Sequence, residues 1–243
     1  MHAGAIALKG GTEAEEQSIE DCMRMYIAAG SLLPLHVKVG GQEPLNDLGA
    51  LLRLRIRSVL FPMIETPFAV EKAGDSLRKV ARGERVFDAY LNLESNMAWR
   101  LRDSILDRAV ALGFAGINVG RTDLGGSIGA RADDCETTEM ATSIIAAARD
   151  RELRTGVGGG INTRTIVDLL QATRVDTFET RNVVFATARV SDPAAAVRAA
   201  LLFELELNRL EAVFAEQIAE AHHERIEALR LRRIDGTHGL DGQ

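Results

Sequence analysis

Short apolar runs alternate along the chain with longer stretches whose apolar positions recur every three or four residues. The short runs predict strands at residues 5–9, 35–39, 58–61, 87–94, 115–119, 154–157 and 175–179. Helical spacing predicts helices at 13–29, with Ile19, Met23, Tyr26 and Ile27 on one face, and at 45–52, 68–80, 97–112 and 136–151. A further helix is predicted at 162–171, with Asn162 or Thr163 as its N-cap. Strands alternating with helices predict a parallel α/β architecture. Almost every strand runs into a polar or glycine-rich loop. A doubly wound sheet would concentrate such loops at its switch point, whereas a closed barrel spreads them around one rim. The predicted fold is therefore α/β, a modified (β/α)8 TIM-type barrel over residues 1–192. Seven strands are clearly readable, and part of an eighth comes from 182–185 or from the extreme N-terminus.

The C-terminal pattern differs. From 193 to 232 it is helical, with Phe203, Leu207, Leu210, Phe214, Ile218 and Ala221 stepping by three or four. One continuous helix of that length would run roughly 60 Å at 1.5 Å per residue, longer than the base of a barrel. Two readings follow: an arm that packs on another subunit, or two helices folded back over the barrel's own base. The first makes 193–234 an oligomerisation extension, with 235–243 as a disordered tail.

Composition narrows the function classes. The 243 residues are 46% hydrophobic and 26% charged, enough to bury one large core. A net charge of −6 argues against a nucleic-acid surface, which would carry a basic excess. Cys22 and Cys135 have no metal-type spacing and read as free thiols in a reducing cytoplasm. The N-terminus lacks the basic and apolar regions of a signal peptide. No run reaches the roughly 18 apolar residues of a membrane span.

The chemistry concentrates where the strands end. Residues 87–94, the following helix and the strand at 115–119 make a β-α-β unit, so Glu94 and Asp123 emerge at the same C-terminal edge. Two carboxylates there suit a hard divalent cation such as Mg²⁺ or Mn²⁺, with positions left open for substrate oxygens. On the other reading, Glu94 caps the next helix and Asp123 anchors a loop. The remaining strand ends add Lys9-Gly10-Gly11-Thr12-Glu13, Lys38 through Glu43 with Asp47 beyond, Glu65, Gly120 through Ser127, Gly158-Gly159-Gly160, and Glu179-Thr180-Arg181. Acids can hold a metal, cations an anionic substrate, and glycines let backbone N–H groups approach it.

Four segments carry a family resemblance: Val37-Lys38-Val39-Gly40-Gly41-Gln42-Glu43, Phe61-Pro62-Met63-Ile64-Glu65-Thr66, Asn92-Leu93-Glu94 and Val119-Gly120-Arg121-Thr122-Asp123-Leu124. Over most of residues 5–190 the chain resembles the metal-dependent pyruvate-type aldolases and citrate lyase β-subunits of the HpcH/HpaI superfamily. The resemblance implies an oligomeric barrel in which Glu94 and Asp123 bind Mg²⁺ or Mn²⁺. It matches Lys38 to the family's substrate-binding cation, usually Arg, and lays Gly120 and Arg121 against a substrate carboxylate. Glu65, Thr122 and Arg181 complete the substrate-binding candidates. The chain departs from the family in three ways. The usual catalytic His is missing, and the loop there reads Gly11-Thr12-Glu13-Ala14-Glu15, which leaves Glu13 or Glu43 as replacement bases beside Lys38. Arg121 stands where many relatives have Pro. The chain also begins near the family's second strand, so either the barrel has seven strands or its first is supplied elsewhere. His36, the one histidine in a barrel strand, faces either the lumen or the helices.

The expected activity is a metal-dependent carbon–carbon lyase of the aldolase type, acting through the enolate of a 2-oxo acid such as pyruvate or oxaloacetate. Its partners would be that acid and an aldehyde or acyl co-substrate, with neither nucleic acid nor membrane, in a homo-oligomeric trimer or hexamer. The alternatives are a citrate lyase β-like or malyl-CoA-like acyl-thioester lyase, and an inactive barrel serving as an interaction scaffold.

Overall fold

A computed structural model describes residues 4–12, 17–28, 30 and 32–231. Eight strands close a barrel in sequence order: β1 (Ala5–Gly11), β2 (Leu35–Lys38), β3 (Ser58–Phe61), β4 (Asp88–Leu93), β5 (Gly116–Gly120), β6 (Arg154–Gly158), β7 (Thr177–Glu179) and β8 (Val183–Ala186). Neighbours from β1 to β7 pair in parallel, as the alternation of strands and helices predicts. The eighth strand falls at Val183–Ala186, one of the two places the sequence offered for it, but its direction is unexpected. It runs antiparallel to both β7 and β1, so a hairpin rather than a crossover helix closes the barrel. The turn between β7 and β8 is Thr180-Arg181-Asn182, and Asn182 explains the closure. Its carbonyl accepts from the Lys9 N–H at 2.8 Å, and its side-chain amide donates back to the Lys9 carbonyl at 3.0 Å.

The outer helices are α1 (Ile19–Ala28), α2 (Leu45–Arg53), α3 (Pro67–Val80), α4 (Asn96–Arg100), α5 (Arg102–Leu112), α6 (Arg121–Gly126), α7 (Cys135–Arg149) and α8 (Ile166–Thr173). The predicted helix at 97–112 divides at Leu101 into α4 and α5. The Ser95 hydroxyl, not Glu94, caps α4 by accepting from the Ala98 N–H. Asp123 also moves relative to the sequence reading. β5 ends at Gly120, and Asp123 lies in the first turn of α6, where a carboxylate is favoured by the helix dipole. Outward-facing strand residues such as Val59, Phe61, Leu91, Val119 and Phe178 are fully buried under the helices. Each such side chain contributes about 1.5–3 kcal/mol of burial.

The unit that contains the barrel runs to Leu201, and residues 202–243 form a second unit. The helix α9 spans Pro193–Leu231 as one continuous element, and the boundary between the units falls within it. Its exposed apolar side chains include Leu202, Leu205, Leu210 and Val213. The tail at 235–243 lies outside the described residues. Among the described residues, no helix is long and apolar enough to cross a membrane.

Candidate active site

Inward-facing positions are every second strand residue, and here they are unusual. TIM-type barrels fill their interior with layers of bulky branched side chains. This lumen instead receives Lys9 from β1, His36 and Lys38 from β2, Asn92 from β4, Asn118 from β5 and Glu179 from β7, with Glu94 just beyond β4. All of these are buried. Glycines on β5 and β6 make room for them. A Cβ on Gly120 would fall 2.3 Å from Glu94 Oε2, one on Gly156 2.7 Å from Asn118 Oδ1, and one on Gly158 3.0 Å from Glu179.

Glu94 is 2% exposed and held from several sides. Oε1 accepts from the Met63 N–H at 3.0 Å and lies 3.9 Å from the Lys38 ammonium. Oε2 accepts from the Asn92 side-chain amide. Met63 adopts a left-handed φ of 49° to aim its N–H this way, a conformation that costs a non-glycine residue about 1–2 kcal/mol. The Gln42 side chain donates to the Met63 carbonyl at 3.0 Å and holds the turn. Asp123 is exposed on α6. Its helix is tied to the end of β4 because the Asn96 N–H donates to Ser127 Oγ at 2.8 Å. A turn after β3 and the loops after β4 and β5 thus meet around Glu94.

The other candidates separate into three groups. Lys38 points at Glu94 rather than at the acids near it in sequence: Glu43 pairs with Lys72 at 2.9 Å, and Asp47 accepts from Thr12 Oγ1 and the Gly40 N–H. Glu43 and Asp47 line a cavity of about 500 Å³ with Thr12, Gly40, Pro44, Leu45 and Asn46. Arg121 is buried as a brace. It donates to the Ala132 carbonyl at 2.8 Å, to Asp133 at 3.1 Å and to the Gly159 carbonyl at 3.0 Å, which ties the loops after β5 and β6 together. Burial pushes its guanidinium below its ordinary pKa. Thr122 and Arg181 are exposed, Glu65 is half-buried, and Glu13 lies outside the described residues.

Sequence reasoning singled out Asn92, Asn118, Lys9 and Glu179 only as parts of strands and loops, and missed their connection. Lys9 Nζ donates to Glu179 Oε1 at 2.6 Å, and Asn118 Nδ2 donates to that same oxygen at 3.2 Å and to Asn92 Oδ1 at 3.0 Å. The available signal was polar residues inside otherwise apolar strands.

His36 faces the lumen. Its Nδ1 lies 2.6 Å from Ser58 Oγ and its ring meets Tyr90 edge-on. Burial lowers its pKa from 6.5 to about 4, against a smaller opposing pull from Glu179. Between those values the unfolded chain binds a proton that the folded chain does not. Stability should therefore fall by ~3 kcal/mol as pH drops through that window. His36→Asn should flatten that slope in urea denaturation at pH 7, 5.5 and 4.5. An unchanged slope would show that His36 is not the group responsible.

No protein-family model and no curated protein matches the sequence. Solved structures do match. An HpcH/HpaI aldolase/citrate lyase family protein from Burkholderia cenocepacia aligns with a TM-score of 0.59 and 19% identity, over 85% of this chain and 87% of that one. The HpcH/HpaI aldolase from Desulfitobacterium hafniense gives 0.56 and 12%, over 82% and 81%. The citrate synthase SbnG gives 0.56 and 15%, over 84% of each chain. The chain has the barrel fold of the HpcH/HpaI aldolase and citrate lyase proteins.

Proposed function

We propose that the protein is a carbon–carbon lyase of the aldolase type that uses Mg²⁺ or Mn²⁺ and acts on a 2-oxo acid such as pyruvate or oxaloacetate. The observation that carries this reading is Glu94, a buried carboxylate at the C-terminal rim, held by two N–H donors and faced by a buried lysine. The donor set fits a hard cation. Glu94 and Asp123 would supply carboxylate oxygens, and water and substrate oxygens would complete an octahedron, since among the described residues there is no group of three or more His, Cys, Asp or Glu that could hold a metal. When bound, such an ion supplies Lewis-acid stabilisation of the negative charge that develops on an enolised 2-oxo acid.

The chain's own residues do the rest. The Lys38 ammonium holds an anionic substrate oxygen as a point charge, since lysine lacks the bidentate fork of arginine. Gly120 keeps the space beside Glu94 clear. Arg121, its guanidinium occupied by Ala132, Asp133 and Gly159, contributes through its backbone together with Thr122, and Glu65 and Arg181 are the remaining proposed substrate contacts. Glu43 or Glu13 takes the proton from C3 of the substrate. The test is metal-dependent exchange of the C3 protons of pyruvate into D₂O. Lys38→Met should slow exchange tenfold or more, about 1.4 kcal/mol of barrel-site stabilisation. A loss below twofold would place Lys38 outside the reaction. No exchange by the wild type would refute the enolate chemistry and favour a thioester substrate or a scaffold.

The assembly proposed with this function is a cytoplasmic homo-oligomer, a trimer or hexamer, joined through α9. Its exposed Leu202, Leu205, Leu210 and Val213 support an apolar interface. Sedimentation of the full chain at micromolar concentration should show the oligomer, and Leu205→Glu with Val213→Glu should dissociate it. A monomeric wild type would refute this.

A further inference from the structure

The buried chain Lys9–Glu179–Asn118–Asn92–Glu94 has a fixed polarity. Glu179 and Glu94 are the carboxylates on either side of its two amides, and ionised carboxylates only accept hydrogen bonds. Glu94 Oε2 therefore needs the NH₂ of Asn92, which turns Asn92 Oδ1 toward Asn118. Asn118 must answer with its own NH₂, and that group has two protons. One goes to Asn92 Oδ1 at 3.0 Å and the other to Glu179 Oε1 at 3.2 Å. Its own oxygen is left facing the space at Gly156, which the Thr177 hydroxyl also borders. Both carboxylates thus demand one orientation of both amides. Lys9, 2.6 Å from Glu179, fixes the far end. The register supports the link, because Asn92 and Asn118 are direct partners across β4 and β5.

We propose that Asn118, anchored by the Lys9–Glu179 pair, is a positioning residue that holds Asn92 in the orientation that donates to Glu94. It touches neither substrate nor metal and sets how Glu94 presents its oxygens to a divalent cation. The cation-binding part of this inference rests on the reading of Glu94 as a metal ligand; the amide polarity does not.

Asn118→Asp keeps the shape and reverses the polarity. Acceptors would then face acceptors at Asn92 Oδ1 and Glu179 Oε1, and Asn92 would relieve this by turning its NH₂ away from Glu94. Asn118→Leu keeps the bulk and removes both donors without reversing anything. If Asn118 only fills space, both substitutions should leave cation binding unchanged.

Full-length protein of each type is titrated with Mn²⁺ by electron paramagnetic resonance, with thermal melts to confirm folding. Selective ¹⁵N-asparagine labelling reports the Asn92 side-chain amide protons without metal. Asn118→Asp should weaken Mn²⁺ binding tenfold or more and Asn118→Leu threefold or more, with the Asn92 protons of the Asp variant moving upfield. Folded variants that both bind within twofold of wild type and leave the Asn92 signals in place overturn the proposal. If Asn118→Asp does not fold, Asn118→Leu decides by the same threefold and twofold limits. If the wild type binds no Mn²⁺, the metal reading of Glu94 fails by itself. The Asn92 shift then decides here: movement supports the positioning role and an unmoved signal ends it.

Discussion

Glu94→Gln should lower metal-dependent turnover at least a thousandfold, about 4 kcal/mol of barrier, while the fold survives. Two separate losses combine. The substitution removes the negative charge that a hard cation needs from its ligand. It also breaks the match with the surrounding donors, because the Met63 N–H and the Asn92 amide each point at one carboxylate oxygen. A glutamine offers only one acceptor, so its NH₂ must face a donor. That mismatch costs ~1–3 kcal/mol of stability, visible as a lowered melting temperature but short of unfolding a domain of ordinary stability. The expected pattern is therefore a folded protein with negligible C3 exchange at any Mg²⁺ or Mn²⁺ concentration. Exchange at the wild-type rate would remove Glu94 from the chemistry and leave it a buried structural acid.

The barrel was legible in the sequence because its outward strand positions and its helices obey two simple periods. Val59, Phe61, Leu91 and Val119 announce buried strands, and the glycine-rich loops mark the functional rim. β8 was harder to read. Its four residues lie three after β7, and nothing in the apolar pattern says that the chain reverses there. The reversal depends on Asn182 bonding to the backbone of Lys9, 173 residues earlier in the chain, a contact no local pattern encodes. The position of Glu94 followed from strand direction alone. What holds it did not, because Asn92 and Asn118 come together only through the register of β4 and β5. Arg121 shows the opposite limit. A cation in a site loop suggests an anionic ligand, but here the loops' own carbonyls and Asp133 occupy it.

Lys9→Met should destabilise the fold by ~3–5 kcal/mol, the usual cost of leaving a buried charge without its partner. Lys9 and Glu179 are both buried, and their atoms meet at 2.6 Å deep in the lumen. Methionine matches the length of the lysine stem, so the loss would reflect charge rather than volume. The companion variant Glu179→Leu should be destabilised as well, because it removes the carboxylate that Lys9 meets at 2.6 Å and that accepts from Asn118. Combining them is the informative step. A buried ion pair replaced by apolar groups of similar size is often neutral or stabilising, so the double variant should recover most of the loss. The shortfall should be ~1 kcal/mol, from the acceptor that Asn118 no longer has. Denaturant unfolding of the four proteins gives the coupling energy directly. A Lys9→Met cost below ~1 kcal/mol, the range of exposed pairs, would mean that water reaches the pair. If the double variant is stable but binds Mn²⁺ poorly, the ion pair is kept for its effect on Glu94, because an apolar lumen would have been the more stable one.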